Sequence, residues 1–508
     1  MYPATIPNAV TVTSLMFKAF GLTPQQRQSI RAWRYFEGTA YDSEYGTQFA
    51  HPFVEWDETE KGRRPAVQPL PKRIVEIGAQ FLFGLPPHFQ CSTDDLQTFL
   101  DDVLQMNRMH EKWLPEARAA AVEGGTVLKF AWTPTNAKRP VSIQTYSPHE
   151  VTFQRDEMDA DLVLSATINL KFFSPQDDCW YLYREYWDTE RLIIYKKLKT
   201  EQDGDAGAIG RGFVNGNWPI DRQERNPFGL VPLTLIRNQV RKHDPCGYGD
   251  YWDSNVYHLF DDYNLFCWLE RHSNQIDGNP ILAVLNDQTF DGGYAPGDVL
   301  KLTGEGVDAK FLIPGNNIRE WIDKSKADTA KQIYNAVGYD DVDPATITNK
   351  GNLTRAVWEM VYAKTIKSTA EKQALWGEGG LCVFFENLLE GLALLPDARS
   401  KYPALKAIKP ADATSFDVQA QWPDLFDITP EERTAVLSDL NVSVASGYLT
   451  VDRAVAEAAK VWHIQDVTEL LEELSAKHDL LEQQDQAAAD MMVNEAANAG
   501  KPDNPPKQ

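Results

Sequence analysis

The chain has 508 residues, 43% hydrophobic and 24% charged, which is the balance of a folded protein and not of a disordered one. Fifty Lys and Arg against 73 Asp and Glu leave a net charge of −23, which excludes a domain that grips nucleic acid by overall attraction. At ~150 residues per domain, the length sets a prior of about three domain-sized units.

Met1 to Phe20 carries one Lys and no basic-then-apolar pattern, so no secretory signal is read there. No apolar run approaches ~18 residues, so no membrane span is expected. Residues 24–38 read as a helix, with Pro24 near its start and Gly38 past its end. Leu70 to Phe83 reads as a second helix, halted by Gly84 and Pro86-Pro87. Residues 94–121 read as one further helix with Leu96, Phe99, Leu100, Val103 and Leu104 on one side. Gly124-Gly125 ends it. Strands are then expected at 126–132, 141–146, 151–153, 162–172, 180–187, 192–198 and 231–236. The Gly-rich stretch 203–216 lacks the spacing of a phosphate cradle or calcium loop and reads as a surface loop.

Residues 251–276 read as one long amphipathic helix. Asp250 is the expected N-cap, and Trp252, Val256, Leu259, Phe260, Tyr263 and Phe266 recur at helical spacing. Short strands at 281–285, 299–302 and 310–313 follow, separated by Gly and Pro turns. A helix over 318–337 starts on Asn317 and Glu320, a pair spaced like a capping box. It is apolar at both ends (Ile318, Trp321, Ile322; Ile333, Tyr334, Val337) and polar throughout Asp323 to Thr329. Such a helix is expected to bridge two packed regions through water. Residues 338–351, with Asp340, Asp341, Asp343 and Pro344, read as an exposed loop. Helix is expected at 352–375, interrupted by Gly377, Gly379 and Gly380, and resumed at 381–395. A strand at 415–422 precedes helices at 430–446, 450–462 and 467–494, and residues 500–508 read as disordered. Residues 425–508 hold 16 acids and 6 Lys or Arg, a net of −10.

Catalytic signatures are missing: there is no Gly-x-x-x-x-Gly-Lys-Ser/Thr, no Gly-x-Ser-x-Gly and no His-Glu-x-x-His. The five cysteines, at 91, 179, 246, 267 and 382, are odd in number and widely spaced, which fits a reducing compartment better than a disulfide framework. His243 and Cys246 have metal-like spacing but no second pair, so a turn built on Pro245 and Gly247 is the plainer reading. Neither a metal nor a cofactor is expected.

The fold class is therefore α+β, in the order helix-rich α+β region, long helix, small β element, long helix, acidic loop, long helix and acidic helical end. This order resembles the portal proteins of tailed bacteriophages. Local stretches are similar too: Ala117–Trp132 as helix, Gly pair and strand; Asn226–Leu285 with its Val-Pro strand, Gly247–Asn255, Asp261-Asp262, Asn264 and Asn279-Pro280-Ile281; Pro296-Gly297-Asp298-Val299; and Ile428–Thr450.

The resemblance implies a wing over 1–246, stem helices 251–276 and 318–337, and a clip at 279–314. It implies a tunnel loop and long helix over 339–395, a return to the wing at 396–424 and a crown over 425–508. It also implies a ring, dodecameric in the family, at a capsid vertex of the virion, assembled in the bacterial cytoplasm. Double-stranded DNA would pass through this ring. Terminase large subunit, head-completion or adaptor proteins, and the major capsid and scaffolding proteins would be its partners. Candidate channel residues are Lys324 and Lys331, seven apart on one helix face, with Asp340, Asp341, Asp343 and Lys350. For the lysines an ordinary solvated face is the competing reading. Trp252, Tyr263 and Phe266 are candidates for the subunit interface, and packing within one subunit is the equal alternative. Other readings stay open: another phage head or connector protein, or a carbohydrate-active hydrolase. The 14 Trp and 19 Tyr could serve the hydrolase, but nothing in the sequence pairs two carboxylates for it.

Overall fold

A computed structural model of the chain describes residues 24–40, 68–159, 161–200, 218–241, 247–278, 281–285, 308–312, 316–342, 355–410, 412–426, 430–461 and 471. The chain divides into a larger unit, Met1–Asn349 with Glu359–Leu425, and a smaller one, Lys350–Trp358 with Phe426–Gln508.

In the larger unit, α1 (Pro24–Glu37) begins on a proline, whose fixed φ suits a first helical turn, and Gly38 follows at φ +78°. Helix α2 (Leu70–Phe83) turns Ile74, Val75, Ala79 and Leu82 inward. Strand β1 (His88–Cys91), helices α3 (Asp94–Met106) and α4 (Met109–Glu123), and strands β2 (Gly125–Trp132) and β3 (Val141–Tyr146) come next. The single helix expected over 94–121 is two helices. Arg108 takes the left-handed conformation (φ 51°, ψ 47°), and the buried Asn107 side chain turns onto β3. Its Nδ2 donates to the carbonyls of Val103 (2.9 Å) and Val141 (3.0 Å), and its Oδ1 accepts from the Ile143 N–H (2.9 Å).

Strands β4 (Val151–Arg155), β5 (Val163–Ser174), β6 (Cys179–Asp188), β7 (Arg191–Tyr195), β8 (Leu198–Thr200), β9 (Ile220–Arg225) and β10 (Leu233–Arg237) complete two antiparallel sheets. One is β10–β2–β3, whose central strand is buried from Gly125 to Phe130. The other runs β4–β5–β6–β7–β9, with β8 also on β6. Strand β9 escapes the sequence reading because all six of its residues are exposed, so it shows no apolar alternation. A buried ion pair joins the two sheets, Lys129 of β2 with Glu185 of β6. Burial alone would raise the Glu185 pKa. The Lys129 charge, together with hydrogen bonds from Lys129, Tyr183 and Trp187, outweighs this and holds the carboxyl below its usual range.

Helix α5 (Ser254–Gly278) begins later than expected. Its cap is Asp253, whose Oδ1 accepts from the Asn255 N–H at 2.8 Å and whose carbonyl accepts from Val256. Asp250, Tyr251 and Trp252 therefore precede the helix. Strands β11 (Ile281–Leu285) and β12 (Asp308–Leu312) pair antiparallel. The strand expected at 299–302 and the turns around it lie outside the described residues. Helix α6 (Asn316–Val337) packs along α5. Its polar middle is not free of the core: Thr329 is buried, and Lys326 Nζ donates to Glu270 Oε2 of α5 at 2.5 Å.

Helices α7 (Arg355–Val361) and α8 (Ala363–Trp376) lead into a π-helical turn, Gly377–Cys382, and on to α9 (Val383–Ala393). The glycines thus widen the helix and do not interrupt it. A β carbon at Gly380 would stand 2.8 Å from Ile236 Cγ2, and one at Gly377 would stand 3.0 Å from Trp422 Nε1. The wide turn presses bare backbone against β10 and the chain beyond β13. Helix α10 (Pro396–Lys401) and strand β13 (Val418–Gln421), paired with β1, close the unit.

Two cores fill it. The larger gathers α2, α3, α4, β2, β10 and α9; the second gathers α1 and α2 with Tyr251, Trp252, Val256, Tyr257, Phe260, Ile333, Tyr334, Val337 and Tyr339.

In the smaller unit, α11 (Pro430–Ala445) turns through Gly447 (φ +75°) into α12 (Val451–Val461). The helix expected at 467–494 and the tail 500–508 lie outside the described residues, as do His243, Cys246 and the stretch 203–216. Among the described residues no helix is long and apolar enough to cross a membrane, and no group of His, Cys, Asp and Glu could hold a metal ion.

Candidate functional site

The chain entering α5 and the chain leaving α6 meet at one buried charge cluster. Gly247 (φ +88°) lies so close against Gly124 that a β carbon on it would collide with the Gly124 carbonyl oxygen, and the Asp250 N–H donates to the Ala121 carbonyl at 2.8 Å. This fixes Asp250 beside the end of α4 with its side chain 0% exposed. Lys372, on the inward face of α8 with Thr365, Thr369 and Trp376, is 4% exposed. Its Nζ donates to Asp250 Oδ1 (2.7 Å), Asp250 Oδ2 (2.9 Å) and the Tyr339 hydroxyl oxygen (2.8 Å). The Tyr339 hydroxyl donates in turn to Asp250 Oδ2 at 2.9 Å. Asn238 and Gln239 donate to Asp250 Oδ1 at 2.8 and 3.3 Å. Gly78 of α2 forms the lid, since a β carbon there would collide with the Tyr339 hydroxyl. Burial, then the Asp250 charge, drive the Tyr339 pKa well above its ordinary value, so the phenol stays a donor. The sequence signal for this cluster is a lysine on a helix stripe otherwise made of Thr365, Thr369 and Trp376.

The loop expected to be exposed from residue 338 begins buried. The chain leaves α6 at Gly338 (φ +78°), and Tyr339 turns back into the second core. Asp340 follows, and it serves α8. Its Oδ2 accepts from the N–H groups of Lys364 and Thr365, both at 3.0 Å, while its own N–H donates to Thr365 Oγ1 at 3.0 Å. Asp340 thus caps, from outside the helix, donors that the first turn of α8 cannot satisfy. Asp340→Ala is expected to cost about 0.5–2 kcal/mol and Asp340→Asn less, read by denaturant unfolding. Asp341 stands 3.6 Å from Arg73, an exposed pair of little energetic weight. Asp343 and Lys350 lie outside the described residues.

On α6, Ile322, Thr329, Ile333, Tyr334 and Val337 are buried, and Lys324 and Lys331 are both exposed on the opposite side. Glu320 and Asp328 share that side, so the stripe alternates in sign. One turn beyond Lys331, Asn335 Oδ1 accepts from Lys364 Nζ of α8 at 2.5 Å. The structure thereby brings a third lysine, Lys364, next to the two picked from the sequence.

A family model described as phage portal protein, SPP1 Gp6-like, matches residues 25–312. The chain belongs to the phage portal protein family. Membership makes it a structural protein of a phage-type virion and not an enzyme, which replaces the carbohydrate-active alternative. Similar solved structures include the virion of a native gene transfer agent particle, at 13% identity and TM-score 0.40, covering 89% of this chain and 99% of that one. The neck of the native particle, computed with C12 symmetry, matches at 15% identity and TM-score 0.39, covering 77% and 89%. The neck of the empty particle, computed with C6 symmetry, matches at 13% and 0.39, covering 80% and 94%. No curated protein sequence matches the chain.

The three aromatic interface candidates of this portal chain separate. Trp252 is 4% exposed and packs inside its own subunit: its Nε1 donates to the Val122 carbonyl at 2.7 Å, and its ring meets Tyr248 edge-on. For Trp252 packing within one chain is therefore the observed state. Tyr263 is half-buried against the second core. Phe266 is half-buried and meets the Trp321 ring at 5.7 Å, 83° between planes. Trp321, absent from the sequence candidates, is 56% exposed. Helical spacing places it with Ile318 and Ile322, on a face expected to turn inward.

Proposed function

We propose that copies of this chain associate head to tail into a closed ring, twelve in number, at one capsid vertex. Double-stranded DNA is packaged and ejected through the central hole. The portal family match over residues 25–312 carries this reading. In it, residues 1–246 form the wing, α5 and α6 the stem, and 279–314 the clip. Residues 339–395 form the tunnel loop and the helix behind it, 396–424 return to the wing, and 425–508 form the crown. The terminase large subunit and the head-completion or adaptor proteins dock on the ring, which sits among major capsid and scaffolding proteins, after assembly in the bacterial cytoplasm. Negative-stain microscopy of the purified full chain tests the ring: annular particles with a central hole are expected, and compact monomers overturn the reading.

The charge supports a conduit that does not hold its cargo. Proteins making ~6–10 phosphate contacts lose ~10³–10⁵ in affinity between 50 and 200 mM salt, a grip that would brake sliding DNA. A chain of net charge −23 repels phosphate overall. In this reading Lys324, Lys331 and Lys364 supply a sparse basic ring, while the interleaved Glu320 and Asp328 keep each contact weak. The same reading assigns Asp343 and Lys350, outside the described residues, to the channel. Lys324→Ala/Lys331→Ala/Lys364→Ala is expected to leave rings intact and to flatten the salt dependence of their DNA binding. The log–log slope falls by about 0.9 for each phosphate that is no longer neutralised. An unchanged slope removes the lysines from the channel.

A further inference from the structure

The cluster of Asp250, Tyr339 and Lys372 has a place in the fold that its charge content does not require. Asp250 lies four residues before α5, and Tyr339 lies two residues after α6. The whole excursion made of α5, β11, β12 and α6 therefore leaves and re-enters the body of the larger unit at one point. Lys372 ties that point to α8, Asn238 and Gln239 tie it to the end of β10, and Gly78 of α2 closes over it. Four stretches of chain distant in sequence, at residues 78, 238–250, 339 and 372, meet around one carboxylate. Apolar side chains of similar volume could fill this space at no loss of stability, and often at a gain. What an ionic, hydrogen-bonded cluster adds is direction: Asp250 accepts from Lys372, Tyr339, Asn238 and Gln239, and these four donors fix three segments, α8, the chain leaving α6 and the end of β10.

Ring closure sets the precision needed. Neighbouring copies in a closed ring of twelve are rotated by about 30°, and in one of thirteen by about 28°. Helix α5, with 25 residues, is about 37 Å long. Two degrees at its base moves its far end by only about 1.3 Å. A joint between the helical pair and the body must therefore hold to about an ångström if one ring size is to be selected. A close-packed apolar contact permits small sliding, whereas a bidentate ion pair with a bridging hydroxyl does not.

We propose that the Asp250–Tyr339–Lys372 cluster is the rigid joint that sets the angle of the α5–α6 pair against α8, and through that angle the number of subunits in the ring. The second half of this proposal rests on the ring reading above.

The test is the full-length triple variant Asp250→Asn/Tyr339→Phe/Lys372→Met, which removes the charges and the bridging hydroxyl while nearly keeping volume. It is compared with wild type by class averaging of negative-stain images and by hydrogen exchange. The expected result is a spread of ring sizes where wild type has one dominant size. Faster amide exchange is expected in 339–342 and 364–372, with β2 and β3 unchanged. A folded variant with the wild-type size distribution and wild-type exchange overturns the proposal. If the triple variant fails to fold, Tyr339→Phe alone keeps the Asp250–Lys372 pair and removes only the bridge; faster exchange at 339–342 supports the joint, and unchanged exchange overturns it. If wild type itself forms no rings, the ring reading fails, and the exchange measurement alone decides whether the joint is rigid.

Discussion

Lys372→Met alone is expected to destabilise the larger unit by about 3–5 kcal/mol, because it leaves the Asp250 carboxylate buried without its cation. Asn238, Gln239 and Tyr339 would still donate to it, but neutral donors do not balance a full charge at a site where the side chain is 0% exposed. The triple variant, which removes the charge as well as the cation, is expected to recover most of this loss. That contrast separates a stranded carboxylate from lost packing, since the Met side chain is common to both. The chain has two units, so the measurement must follow the larger unit's own transition in denaturant, through the exchange of α8 and β10 amides. A loss below about 1 kcal/mol would mean that water reaches Asp250 once the lysine is gone. The joint would then be softer than its hydrogen bonds imply.

Most of the regular structure is legible in the sequence because hydrophobic period reports burial directly. Residues 70–83 and 141–146 are readable to the residue, the first having one face wholly in a core and the second having its leading residues Val141 to Ile143 buried. Two of the misses, at Asn107 and Asp340, share a cause: a side chain that satisfies backbone outside its own element leaves no period. Asn107 breaks a helix whose apolar stripe runs on unbroken into α4. Asp340, which the sequence presents as a solvent-facing channel carboxylate, instead caps α8, which begins 23 residues later in the chain. Asp250 resembles a helix cap because it precedes an apolar-periodic run, and Asp253, three residues on, satisfies the same rule. Only the tertiary placement of Lys372 decides between them. The site is the least legible part for the same reason. Exposed Lys324 and Lys331 can be found from spacing, but Lys364 joins them through Asn335, a contact between helices that no single-helix pattern contains. Trp321 inverts the usual error: its spacing predicts burial, and the described fold leaves more than half of it in solvent.

Asn107→Ala is expected to be nearly as costly as loss of the Lys372 cation. Strand β3 is the edge of its sheet, so the N–H of Ile143 and the carbonyl of Val141 point away from β2 with no neighbouring strand to receive them. The Asn107 amide takes the neighbour's part: Oδ1 accepts from one and Nδ2 donates to the other, in the pattern a backbone amide would offer. Asn107 is 1% exposed, so truncation leaves both backbone groups buried without partners, at about 1–3 kcal/mol each. Asn107→Asp should be no better, since a carboxylate can still accept from Ile143 but cannot donate to Val141, and it brings an unpaired charge into the same space. Denaturant unfolding checks the size of the effect, and the exchange rate of the Ile143 amide checks its cause. If that amide stays as protected in Asn107→Ala as in wild type, the edge has found another acceptor and Asn107 is not its substitute for a strand. If it exchanges freely while β2 stays protected, one side chain stands in for a missing strand, and the break between α3 and α4 exists to deliver it.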